Sequence, residues 1–223
     1  MALTISESGG GTFEQAPKGN HNATCYRLVD VGTHSETFEG ETKQRHSIFI
    51  YWELNDAKME DGRPYTIFKQ YTLSLNEKSA LYKDLCAWRK KQFTDEERKG
   101  FDLTNILGMT CELAIGETKT GNSKVVNVFA PDGGAQKQPT VNEQVAFDID
   151  EYIEGNKDMI GVWVDLPAWI QTKIDDSFEA KAKDTAKEQG NNQFDSLESL
   201  NKSQEDKPFP SDDNQEDMDK LPF

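Results

Sequence analysis

Between His46 and Leu54 the side chains alternate with a period of two: Ile48, Ile50, Trp52 and Leu54 fall on one side, and Phe49, Tyr51 and Glu53 on the other. A helix would scatter those sets around its axis, so the segment reads as a strand with one face in a core. Residues 23–31 have the β-branched and aromatic bias of another strand, which Gly32 ends. The polar residues 33–45, with Gly40 among them, read as the loop joining the two. Asp61, Gly62, Arg63 and Pro64 then mark a turn into a third strand over residues 65–75.

After strand three the period changes. Ser74 with Glu77 has capping-box spacing, and Ala80, Leu81, Leu85 and Trp88 recur at helical intervals up to the basic run Arg89, Lys90, Lys91. That run complements a helix C-terminus. Thr94 with Glu97 opens a second, short helix that Gly100 ends, and Gly108 closes a further helical turn. Strands over residues 110–115 and 124–130 follow, joined by a polar loop at 116–123. The order β-β-β-α-β-β is that of the OB-fold, a mainly β, five-stranded Greek-key barrel with a helix between strands three and four. Other small barrels and α+β sheets share it. Beyond Ala130, residues 141–149 and 160–166 read as strands and 167–174 as a helix, with Trp163 and Trp169 packing this C-terminal extension on the barrel.

Charge divides the chain further. Of the net −15, residues 171–223 contribute −7, from 14 acidic and 7 basic residues with long gaps between large apolar side chains, the pattern of a solvated, disordered tail. Residues 21–130 hold 15 basic and 16 acidic residues, so the central region is nearly neutral and its cations can gather on one face. The expected division is a flexible N-terminus at 1–20, one domain at 21–180 and an acidic tail at 181–223. No apolar run reaches the ~20 residues that span a bilayer, and no signal-peptide pattern opens the chain, so the cytoplasm is expected. Cys25, Cys86 and Cys111 are odd in number and widely separated, which reads as reduced thiols. His21, His34 and His46 have no ligand spacing, so neither a metal nor a cofactor is expected.

If Ile48, Ile50, Trp52 and Leu54 fill the barrel, Phe49 and Tyr51 face outward, and outward rings on an OB-fold are platforms for unstacked bases. In strand five the same logic buries Val126 and Val128 and exposes Asn127 and Phe129. Strand three places Phe68 on one face and Lys69 and Tyr71 on the other, and all three are candidates. The candidate phosphate partners are Arg27, Lys43, Arg45, Lys69, Lys119 and Lys124, in the strands and in the two loops that clamp a strand in OB-folds. The competing reading packs these aromatics under loops or under the extension. No carboxylate cluster for a metal pair and no nucleophile with a base is evident, so an enzyme is not expected.

Residues 47–55, 71–89 and 100–113 resemble a family of bacteriophage replication-module proteins that bind single-stranded DNA, and the likeness spans residues 23–180. The resemblance implies binding to single-stranded DNA with little sequence preference during phage replication, recombination or repair. The chain ends in Asp217, Asp219, Lys220, Leu221, Pro222 and Phe223, which is similar to the acidic tip of bacterial single-stranded-DNA-binding proteins, with Lys220 as a departure. That similarity implies that Asp217, Asp219, Leu221, Pro222 and Phe223 dock replication or recombination proteins, the ring in a pocket and the carboxylates on Arg or Lys. The alternatives are a plain solubility tail and, for the whole chain, an acidic adaptor or DNA mimic that binds a host protein and leaves DNA alone.

Overall fold

The computed structural model describes residues 14–38, 40–183 and 185. The expected tail tip, Asp217 to Phe223, lies outside the described residues, as does the start of the N-terminal segment. The unit Met1–Lys181 is one of two into which the chain divides, the other being Ala182–Phe223. Its elements run β1 (Gly19–Phe38), β2 (Glu41–Lys58), β3 (Pro64–Thr72), α1 (Ala80–Arg89), α2 (Asp95–Lys99), a 3-10 turn (Leu103–Ile106), β4 (Thr110–Glu117), β5 (Ser123–Phe129), β6 (Val145–Phe147), α3 (Ile149–Glu154), α4 (Lys157–Val164) and α5 (Ala168–Asp175).

Five strands of one six-stranded sheet follow the path β3-β2-β1-β4-β5, each neighbour antiparallel. β4 pairs with β1 only as far as Thr24, and β6 takes over that edge, running parallel to Arg27–Val29. The ends of the path, β3 and β5, are tied by Lys69, whose Nζ donates to Asp84 Oδ2 on α1 at 2.7 Å and to the Val126 carbonyl at 3.2 Å. α1 closes the bottom of the core with Leu81, Tyr82, Leu85 and Trp88, and the Trp88 indole donates to the Thr110 carbonyl at 2.6 Å.

The expected loop at residues 33–45 is instead a polar extension of the first hairpin. β1 and β2 stay paired from Ala23↔Leu54 out to Phe38↔Glu41, with Gly40 at φ 82° in the turn. Among its described side chains the ribbon buries no face, so no hydrophobic alternation announces it; they pair across the ladder, as in Thr37 with Thr42 (2.9 Å) and Arg45 with Glu36 (3.7 Å). Other boundaries also move. Ser79, not Ser74, caps α1 by accepting from Tyr82 N, while Ser74 organises the preceding turn by accepting from Asn76 N. The Thr94–Glu97 capping box forms as spaced. Residues 160–166, read as a strand, belong mostly to helix α4, started by the Asn156 side chain; a short apolar run does not distinguish the two states. The strand at 141–149 shrinks to β6, because Asp148 caps α3.

The sheet separates two cores. The inner one holds Cys25, Leu28, Ile48, Ile50, Trp52, Leu54, Cys111, Leu113, Val125 and Val128 among others, packed on α1. The outer one joins Val29, Val31 and Phe49 to Phe147, Ile149, Leu166, Ile170 and Ile174 of the extension. The extension therefore covers part of the face expected to be open.

Its far end is held by a polar clasp. Thr33 donates from its amide to Glu179 Oε2 (2.8 Å) and from its hydroxyl to Glu179 Oε1 (2.6 Å), while His46 Nε2 meets Asp30 Oδ1 at 2.6 Å. Gly32, at φ 75°, lets the backbones approach: a Cβ there would lie 2.7 Å from Glu179, Ile149 and Ser177. The hydrogen bond that His46 donates to Asp30 raises its pKa above 6.5 against the opposing effect of burial. Burial pushes Glu179 upward, but the Thr33 hydrogen bonds outweigh it and hold the carboxyl below 4.5. The His46 contribution is thus full below pH 6.5 and lost as pH rises through its raised folded pKa; that of Glu179 is full above 4.5 and lost as pH falls through its lowered one. The expected result is a urea midpoint that falls between pH 6 and pH 8, with the fall reduced in His46→Asn; an unchanged pH slope in that variant removes the clasp as its source.

Candidate functional site

The register of β1 slips between Cys25 and Arg27, where one residue of β2 faces two of β1. Such a bulge turns Tyr26 and Arg27 together to the outer face, while Cys25 and Leu28 stay in the inner core. Arg27 pairs with Tyr51 on β2, and Tyr51 with Phe68 on β3, so a row of side chains crosses three strands. It continues onto α5 at Trp169. Ring centroids are 6.1 Å apart for Tyr26 and Tyr51, 5.1 Å for Tyr51 and Phe68, and 5.6 Å for Phe68 and Trp169, the last two pairs tilted by 33°. Phe68 is 41% and Trp169 49% exposed.

These side chains line a groove of about 680 Å³. The β4–β5 turn and the start of β5 add Asn122, Ser123 and Lys124 to the lining, and the turn is pinned: Thr118 and Asn122 bond one another through backbone and side chain, and Ser123 donates to Gln15 Oε1 and to the Ala16 carbonyl, both at 2.6 Å. Asp165 and Pro167, from the turn before α5, complete the lining. Arg27 and Lys124 form no ion pair among the described residues, so their charge is available to the groove. The Arg27 guanidinium lies 5.8 Å from the Tyr26 ring centre. Arg27 Nε and Tyr51 Oη are buried without a hydrogen-bond partner. Burial, reinforced by neighbouring Tyr26, pushes the Tyr51 hydroxyl well above the usual tyrosine range, so it remains a donor.

Of the residues singled out in the sequence, Arg27, Tyr51, Phe68 and Lys124 meet in this groove. Phe49 does not: at 2% exposure it lies in the outer core, edge-on to Phe68 and Trp169 at 5.4 Å each, beneath the rings a ligand would touch. Tyr71 faces the inner core and donates to Asp84, and Lys69 is committed to the same carboxylate. Lys43 and Arg45 stand on the ribbon beside Glu41 and Glu36. Lys119 is exposed in the β4–β5 turn. Asn127 and Phe129 are exposed toward the end of β5 and do not line the groove. Val126, expected inside, is exposed, because a bulge opposite Ala114 and Ile115 reverses the alternation and sends Val125 inward instead.

Sequence reasoning missed Tyr26 and Trp169 as groove residues. Simple alternation sets Tyr26 on the same face as Leu28, and only the bulge separates them. Trp169 was legible as a packing residue of the extension, but not as the wall of a site.

Among the described residues no group of three or more His, Cys, Asp or Glu side chains is placed to hold a metal. Cys25, Cys86 and Cys111 are unpaired, and burial pushes the thiols of Cys25 and Cys111 far up. No helix of the described residues is long and apolar enough to cross a membrane. No family model and no curated protein matches this sequence.

Proposed function

We propose that the protein binds single-stranded DNA in the groove between Tyr26, Tyr51, Phe68 and Trp169, as a non-enzymatic binding protein of bacteriophage type acting in DNA replication, recombination or repair in the cytoplasm of a bacterial host. The observation that carries this reading is the aromatic row on the outer face of β1, β2 and β3, with two uncommitted cations, Arg27 of β1 and Lys124 of β5, in the same groove lining. Bases stack on rings with little regard to sequence, and Arg27 and Lys124 neutralise phosphates. Asp165, in the same lining, repels phosphate, so on this reading the backbone follows Arg27 and Lys124 and the bases take the rings.

The same reading takes the fold as an OB-type barrel. The strand path β3-β2-β1-β4-β5, with its two ends tied by Lys69 and flanked by α1, is compatible with closure between β3 and β5. On this view Asp217, Asp219, Leu221, Pro222 and Phe223 form a separate docking tip for replication or recombination proteins.

The test is a fluorescence titration of the full chain with labelled oligothymidine over a range of salt. Neutralising two phosphates gives log K a slope against log salt of about −1.4, at roughly −0.7 for each phosphate on a single strand, and Lys124→Ala removes about half of it. An absence of binding at low salt sinks the proposal and leaves the adaptor reading, which the net charge of −15 favours but which gives no role to an aromatic groove.

A further inference from the structure

We infer that α4 is the contact through which two copies of this chain pair, its outer face lying against the same face of the second copy in antiparallel orientation. The inference does not depend on the DNA-binding reading. In the run Lys-Asp-Met-Ile-Gly-Val-Trp-Val that forms α4, only Lys157 and Asp158 are polar. A helix apolar on all sides is normally enclosed, yet no residue of α4 is buried. Its inner side is accounted for: Met159, Val162 and Trp163 pack against the outer core, with the Trp163 and Tyr152 rings stacked at 5.7 Å. Lys157, Ile160, Gly161 and Val164 recur at helical spacing on the opposite side. Ile160 is 41% and Val164 61% exposed, and a Cβ on Gly161 would meet nothing within 4 Å. Glycine inside a helix costs about 1 kcal/mol relative to alanine, and here its bare backbone leaves room for a second helix to approach closely.

The charges at the two ends of α4 select the partner. Lys157 opens the helix, where its dipole is positive, and Asp165 caps the other end, where it is negative, so each stands at the unfavourable pole of its own helix. Neither forms an ion pair among the described residues, and about 12 Å of helix keeps them from each other. An antiparallel copy corrects both. Lys157 and Asp165 lie four residues to either side of Gly161. A two-fold axis close to Gly161 therefore sets Lys157 of each copy beside Asp165 of the other, with Ile160 beside Val164 between them. Each charge then stands at the favourable pole of the facing helix. A second copy supplies the apolar stripe and the reversed pair of charges together, by symmetry. Eight residues make a small contact, so the dimer is weak, with a dissociation constant on the order of 10 µM.

The experiment is sedimentation velocity of the full chain from about 1 µM to about 200 µM, which brackets that constant. The expected result is a reversible shift from one chain mass to two across the range. Val164→Asp, Lys157→Glu and Asp165→Lys each raise the dissociation constant about tenfold or more, with unchanged circular dichroism because all three side chains are exposed. Mixing Lys157→Glu with Asp165→Lys restores association, because each mixed pair again sets opposite charges face to face. A single chain mass at about 200 µM overturns the inference and leaves α4 to a different occupant, the remainder of the chain or another protein. A dimer that Val164→Asp leaves intact overturns it too, as do charge variants that associate no better mixed than apart.

Discussion

Trp169→Ala is expected to weaken binding of oligothymidine by about five- to 150-fold, the range that corresponds to about 1–3 kcal/mol for loss of one stacked base. The indole is half exposed, so the substitution removes ligand surface more than core, and circular dichroism and the urea midpoint should change little. Phe68→Ala should act in the same range for the same reason. The two rings touch at 5.6 Å, so the double variant is expected to lose less than the sum of the single losses. Phe129→Ala is the control. Its ring is as exposed as that of Phe68, at 41%, but lies outside the groove, and its affinity should stay within about twofold of the unaltered protein. A loss at Phe129 larger than that at Trp169 would move the binding path onto β5 and away from the extension.

The inclusion of Trp169 shows where sequence reasoning reaches its limit. Alternation in strand two identifies the inner face without help, because Ile48, Ile50, Trp52 and Leu54 all enter the inner core. The same run, Ile48-Phe49-Ile50-Tyr51-Trp52, has apolar or aromatic residues at both phases, which is how a strand covered on both faces reads. Taken as a strand with one open face, it leaves Phe49 as a binding residue when it is a support. The bulges at Cys25/Arg27 and at Ala114/Ile115 each add one residue to a ladder and invert the faces that follow. No local composition marks either of them, and they decide the placement of Tyr26, Arg27, Val125 and Val126. The polar ribbon at residues 33–45 is hidden for a different reason: its pairing relies on cross-strand contacts between polar side chains, which leave no hydrophobic period. Helix capping, being local, is the most legible feature; Thr94 and Glu97 form the expected box, although the choice between Ser74 and Ser79 turns on where the chain leaves β3.

Phe49→Ala tests the two-core architecture most directly and is expected to destabilise the protein by about 3–5 kcal/mol, the usual cost of emptying a buried phenylalanine site. Its ring is 2% exposed and sits between Val29 and Val31 of the sheet and the helices of the extension, with Tyr51, Phe68 and Trp169 around it at centroid distances of 6.4, 5.4 and 5.4 Å. Two elements of backbone must collapse to fill the void, and the sheet is too stiff to follow the helices inward. Phe49→Leu retains most of the volume and should recover more than half of the loss. Phe68→Ala, one strand away on the same face, should cost about 1 kcal/mol, so the urea midpoints separate a support from a platform even though the rings are in contact. Because Phe49 props the underside of Phe68 and Trp169, its removal should also weaken oligothymidine binding, and Phe49→Leu should recover stability further than affinity, since an aliphatic side chain fills space without holding two rings edge-on. A loss of stability below about 1 kcal/mol in Phe49→Ala would mean that the extension does not pack on this face in solution, and with it the wall that Trp169 contributes to the groove would go.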